Sequence, residues 1–166
     1  MIAYSHTADA LAAVFPLGVF GIYPCAHRQK ESGIDVIVSI PDDQCFKMLP
    51  ATRFRGIWLD EFEGSSFFEN ARNADEVKTK LRGILADRGG SEWLGWSKEG
   101  ESIPLARSSR GYRLIAIDFI GRRTAYSGKY GHLGGWKSEV LVDRVITART
   151  IFVAKTPYLE DELAPK

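Results

Sequence analysis

Residues 34–40, IDVIVSI, place Ile34, Val36, Val38 and Ile40 on one side and Asp35, Ile37 and Ser39 on the other. That alternation predicts a strand with one buried face, closed by a turn at Pro41-Asp42-Asp43. Residues 54–63, FRGIWLDEFE, predict a second strand, with Phe54, Gly56, Trp58, Asp60 and Phe62 on one face and a break at Gly64-Ser65-Ser66. Over 74–88 the period changes. Val77, Leu81, Ile84 and Leu85 recur at helical spacing and form one apolar stripe. Asn73 is the expected N-cap, with Glu76 in capping-box position, and Gly89-Gly90 is the expected stop. Residues 91–111 read as a loop, with Trp93 and Trp96 placed to line a cleft. Residues 112–120, YRLIAIDFI, are apolar on both faces and predict a central strand. Residues 138–153 predict one long strand or two joined by a bend, and 156–166 a mobile acidic tail.

The order is strand, strand, helix, strand, long strand. A single helix cannot cover both faces of a parallel sheet. The expected class is therefore α+β, mostly β: a small antiparallel curled sheet or an OB-like barrel with one amphipathic helix, in a single domain over 30–155. Its 166 residues suffice to bury roughly two thirds of the unfolded surface. Lys and Arg number 22 against 21 Asp and Glu, so the global charge does not call for double-stranded DNA as a partner.

Residues 10–26, ALAAVFPLGVFGIYPCA, carry no charge and precede Arg28 and Lys30. The run is shorter than a membrane-spanning helix and is interrupted by Pro16, Gly18, Gly21 and Pro24. Its length and position fit a secretory signal, whereas Asp9 and the lack of an early Lys or Arg fit a buried segment of a cytosolic protein. An apolar run ending in Cys25 resembles a bacterial lipoprotein signal, although Tyr23 and Pro24 replace the small residues of that pattern. The resemblance implies lipidation of Cys25 and a membrane anchor through residues 1–26. Lipidation would leave Cys45 a lone thiol, export without lipidation allows a 25–45 disulfide, and a cytosolic address leaves both reduced.

The strand order resembles the five-stranded oligonucleotide/oligosaccharide-binding barrel. The segments RFRGIWLDEFEGSSFF and DFIGRR…YGHLGG…EVLVDRVI resemble parts of small uncharacterised bacterial exported proteins. These resemblances imply a β-rich domain of the periplasm or envelope with a binding or structural role, and no particular reaction.

The most distinctive stretch is Gly121–Lys137, GRRTAYSGKYGHLGGWK. It reads either as a long bulged hairpin or as a site for an anionic small molecule, glycan or single strand. In the second reading Arg122, Arg123 and Lys129 bind charge, Tyr130 and Trp136 stack, and His132 lines the site. His132 also suits a hydrolase base working with Asp118, Glu61 or Glu63. Glu61 and Glu63 share a face opposite Asp60. They suit a cation, acid–base work, or pairing with Arg122 or Arg123. Asp118, inside an apolar strand, needs a partner, and Arg144 is the expected one. Two cysteines and three scattered histidines show no metal-ligand spacing, and no motif calls for a cofactor.

Overall fold

A computed structural model describes residues 25–87, 91–97, 100 and 111–155. The expected signal-like run as far as Pro24 and the acidic tail, together with the Gly89-Gly90 stop and the side chains of Ile84 and Leu85, lie outside the described residues.

The chain opens with a hairpin of β1 (Ala26–Glu31) and β2 (Ile34–Ser39), joined by Ser32 and Gly33, both at positive φ. The alternation of β2 does not bury a full face: Ile34 is 67% exposed and Ile37 65%, because this two-stranded sheet stays separate from the barrel. A helical turn, α1 (Asp42–Cys45), follows.

The barrel is built from β3 (Thr52–Glu61), β4 (Gly64–Glu69), β5 (Glu92–Trp96), β6 (Arg113–Arg123) and β7 (Glu139–Val153), closed in the order β3-β4-β5-β7-β6. The mostly β, barrel-plus-helix expectation holds. All neighbouring pairs are antiparallel except β5 with β7. β3 ends at Glu61, so Phe62 sits on the turn, 63% exposed, instead of joining Phe54 and Trp58. Gly64-Ser65-Ser66 starts β4 where the sequence predicts a break, and β5 lies inside the expected loop.

Alternation sorts the strands into two cores. Phe54, Trp58, Phe67, Leu94, Ile115, Ile117, Phe119, Val140 and Val142 fill the barrel. Phe54 stacks on Phe119 at 5.3 Å, and Phe67 meets Phe119 edge-on at 5.3 Å. On the outside, Ile57, Leu59, Phe68 and Leu114 receive Val77 and Leu81 of α2 (Ala74–Asp87). The helix starts as its sequence specifies. Asn73 Oδ1 accepts from Glu76 N–H at 2.9 Å, and Glu76 Oε2 accepts from Arg72 N–H at 3.0 Å.

β7 stays one strand of 15 residues against β6, with register shifts that make Asp143, Ile146 and Ile151 extra residues. These bulges let it bend around the barrel. Ion pairs occupy both ends of the lumen. At one end Arg113 pairs with Asp60 beside the Trp58–Trp96 contact. At the other, Arg123 bonds Glu92 and Glu69 and lies 5.0 Å over the Phe54 ring.

Candidate functional site

The Gly-rich stretch is a cover. β6 runs through Arg123, so Arg122 and Arg123 are strand residues that point to opposite sides. Arg123 turns into the lumen. Burial opposes its charge, but Glu92 and Glu69 outweigh that and raise its pKa. Arg122 points out and holds Asp143, its bulge placing the carboxylate at 2.7 Å, with Asp43 at 3.2 Å. The Asp143 hydrogen bond, against some desolvation, raises its pKa strongly. The two arginines face opposite sides of the barrel wall, and their partners are Asp143 and Asp43 for one and Glu92 and Glu69 for the other, not Glu61 or Glu63.

The rest of the stretch folds back over the outside of β4, β5 and β7. Tyr130 and Trp136 are bridge partners around the 3-10 turn His132–Gly134. Tyr130 is buried against Phe46 at 4.8 Å and donates to Tyr126 O at 2.9 Å. Burial raises its pKa. Trp136 packs edge-on to Trp93 at 4.7 Å and donates Nε1–H to Ser66 Oγ at 3.1 Å. Gly131 sits at φ +68° with its α-carbon against the Trp93 ring, where a side chain would collide. Both rings offered for stacking are thus spent on packing. Lys129 and His132 remain exposed. The expected tryptophan cleft does not form either: Trp93 faces outward to Trp136, and Trp96 faces Trp58 at 5.4 Å.

Under this cover lies Glu139, 0% exposed, with no basic group paired to it among the described residues. Burial, and then the Asp42 carboxyl beside it, push its pKa up to about 8. Both causes favour its protonated form. Nothing local in the sequence marks it.

Of the hydrolase set, His132 and Glu63 come together and Asp118 does not join them. His132 Nε2 stands 3.7 Å from Glu63 Oε2 on the surface. Asp118 is committed elsewhere, and no hydroxyl or thiol hydrogen-bonds His132 among the described residues. No cluster of three metal-ligating side chains occurs among them.

Asp118 takes Arg53 and Arg55, not Arg144. Arg53 Nε and Nη2 donate to Oδ1 and Oδ2 at 2.8 and 2.7 Å, and Arg55 Nε to Oδ2 at 2.8 Å. The reason is register: Arg55 lies directly opposite Asp118, whereas Arg144 lies opposite Ile120. The Arg53 hydrogen bond, opposed by some desolvation and aided by Arg55, lowers the Asp118 pKa. The Cys25 sulfur is bonded to Cys45, with Cα atoms 5.6 Å apart, the pairing expected for export without lipidation.

A second surface emerges that the sequence does not flag. On the outer face of β3, β6 and β7 the register sets Arg53–Ile120–Arg144 in one row, Arg55–Asp118–Thr147 in the next, and Ala116–Arg149 below. A shallow open depression of about 510 Å³ lined by Ala51, Ile120, Arg122, Asp143 and Arg144 adjoins it. Arg144 and Arg149 are exposed, and neither has a carboxylate partner among the described residues.

Comparison with protein-family models, with curated proteins and with solved structures finds no match to this chain. No helix among the described residues is long and apolar enough to cross a membrane.

Proposed function

We propose that this protein is a disulfide-stapled binding domain that works outside the reducing cytosol, in the periplasm or envelope, and meets its ligand on the outside of the barrel. The observation that carries this reading is the Cys25–Cys45 bond, which uses both cysteines of the chain. Disulfides persist in oxidising compartments and are rare where glutathione and thioredoxin keep thiols reduced. The filled lumen supports the second half: aromatic and aliphatic side chains occupy the space a small barrel otherwise offers a ligand.

The test is the redox state in cells. Thiols are trapped with an alkylating reagent before lysis, and the intact mass is read from each fraction. The proposal expects the oxidised chain, with no alkyl adduct, in the extracytoplasmic fraction. A doubly alkylated chain confined to the cytosol contradicts it.

A further inference from the structure

We propose that the outer face of β3, β6 and β7 binds a linear uronate-bearing polysaccharide through its arginines, an inference that rests on the reading of an outward-facing ligand surface. Five arginines lie on the outside here: Arg53 and Arg55 share Asp118, Arg122 is held by Asp143 and Asp43, and Arg144 and Arg149 are exposed with no carboxylate partner among the described residues. The chain as a whole is almost neutral at +1, so the concentration of like charge is local.

Two of these arginines already hold a carboxylate of the chain itself. Arg53 grips the Asp118 carboxylate with two parallel N–H···O bonds, and Arg55 adds a third. Planar guanidinium forks match carboxylates in this way. Arg144 flanks Ile120 on the side opposite Arg53, and Arg149 lies further along the same strand. Both offer the same fork with no carboxylate of the described residues to fill it. Arg53 and Arg144 are two strands apart, roughly 10 Å. One small anion does not span that distance, whereas a chain of spaced carboxylates does.

The rest of the face selects among polyanions. Ile120, Ala116 and Thr147 separate the arginines, and among the described residues no aromatic ring stands in these three rows; Phe152, in the next row, is stacked on Tyr112. Single-stranded nucleic acid binding without sequence preference draws much of its affinity from stacking bases on such rings. The barrel is closed, so an acidic peptide has no strand edge here to extend. The low, apolar surface around Ile120 and Ala51 suits the C–H face of a sugar ring set between guanidiniums.

The experiment is a titration of the oxidised protein with oligogalacturonate by calorimetry at several salt concentrations. Matched arms use a neutral dextran oligomer, oligo-dT and oligoglutamate. Two charge-matched double variants accompany the wild type: Arg144→Ala/Arg149→Ala on the face and Lys129→Ala/Lys137→Ala on the Gly-rich stretch. None of these four side chains holds an ion pair among the described residues, and thermal melts verify that both variants fold. The proposal expects salt-sensitive binding of oligogalacturonate and none of dextran. It expects the arginine pair to weaken binding about tenfold or more, and the lysine pair less than about threefold. Equal loss in both variants, no binding by the wild type, or tighter binding of oligo-dT or oligoglutamate than of oligogalacturonate overturns it. None of these outcomes depends on the compartment, so the redox test above stands or falls separately.

Discussion

The Gly-rich stretch 124–137 and the arginine face of β3, β6 and β7 both display cationic and apolar residues on the outside of one barrel, and the fold uses them in opposite ways. In the stretch, Tyr130 and Trp136 are turned inward onto Phe46 and Trp93, and the arginines that lead into it are locked to carboxylates. On the face, Arg144 and Arg149 stay exposed beside a shallow depression. The difference comes from what each covers. The stretch lies over Glu139, which is fully buried. The face lies over a barrel wall whose lumen side is already packed and needs no cover. Glycines and aromatics next to cations are thus a poor guide to a ligand surface when the same residues also have to close a core.

The first way to sharpen this comparison is to contrast a spent arginine with a free one. Arg113, almost wholly buried, donates Nε–H to Asp60 at 3.0 Å. Arg113→Ala leaves a partly buried carboxylate unpaired and is expected to cost about 3 kcal/mol or more in urea denaturation. Arg144→Ala, on the open face, is expected to change stability by less than about 0.5 kcal/mol. Equal costs at the two sites would break the distinction.

Next in size is the staple. The 25–45 bond closes a loop of 20 residues in sequence separation. Reduction, or Cys25→Ser with Cys45→Ser, is expected to cost about 3 kcal/mol by restoring freedom to the unfolded chain. It also loosens α1, whose Asp43 reaches Arg122 and whose Asp42 faces Glu139. Thermal melts with and without reductant measure it.

A pH dependence follows from Glu139. Its pKa rises from the ordinary 4.5 to about 8 in the folded protein. Between those values the folded state holds a proton that the unfolded state has lost. Stability therefore falls as pH rises through that window, by at most about 1.4 kcal/mol per pH unit from this group. Glu139→Gln, which stays neutral in the same cavity, is expected to flatten the slope between about pH 5 and 8. Denaturation midpoints across that range decide it, and an unchanged slope would mean the carboxyl is already ionised in the native state. The smallest expected effect is Lys129→Ala: no measurable change in melting temperature, since no core or ion pair depends on that side chain.

Much of the scaffold was legible from periodicity. β3, β6, β7 and α2 announce themselves because each buries an apolar face or stripe long enough to show a period. Three strands were hidden. β1, AHRQKE, has no apolar alternation because it belongs to a two-stranded sheet apart from the barrel. β4 opens with Gly-Ser-Ser, residues typical of a turn, yet Ser66 is buried there and receives Trp136 Nε1–H. β5 has five residues, too few for a pattern, and owes its place to pairing with β4 and β7. The disulfide stood among the readings of the two cysteines. The arginine face had no sequence signature, because Arg53, Arg55, Arg144 and Arg149 become neighbours only through the β3–β6–β7 register. The same register explains why Asp118 takes Arg55, its cross-strand partner, and leaves Arg144 free.

The most direct measurement is an amide ¹H–¹⁵N NMR titration of the oxidised protein with oligogalacturonate, with shifts mapped residue by residue. The account predicts that the largest shifts fall on Arg53, Arg55, Ile120, Arg144 and Arg149, while Lys129–Lys137 stays unmoved. Shifts centred on Lys129, His132 and Trp136, with the β3–β6–β7 face unchanged, would contradict it and return the site to the Gly-rich stretch.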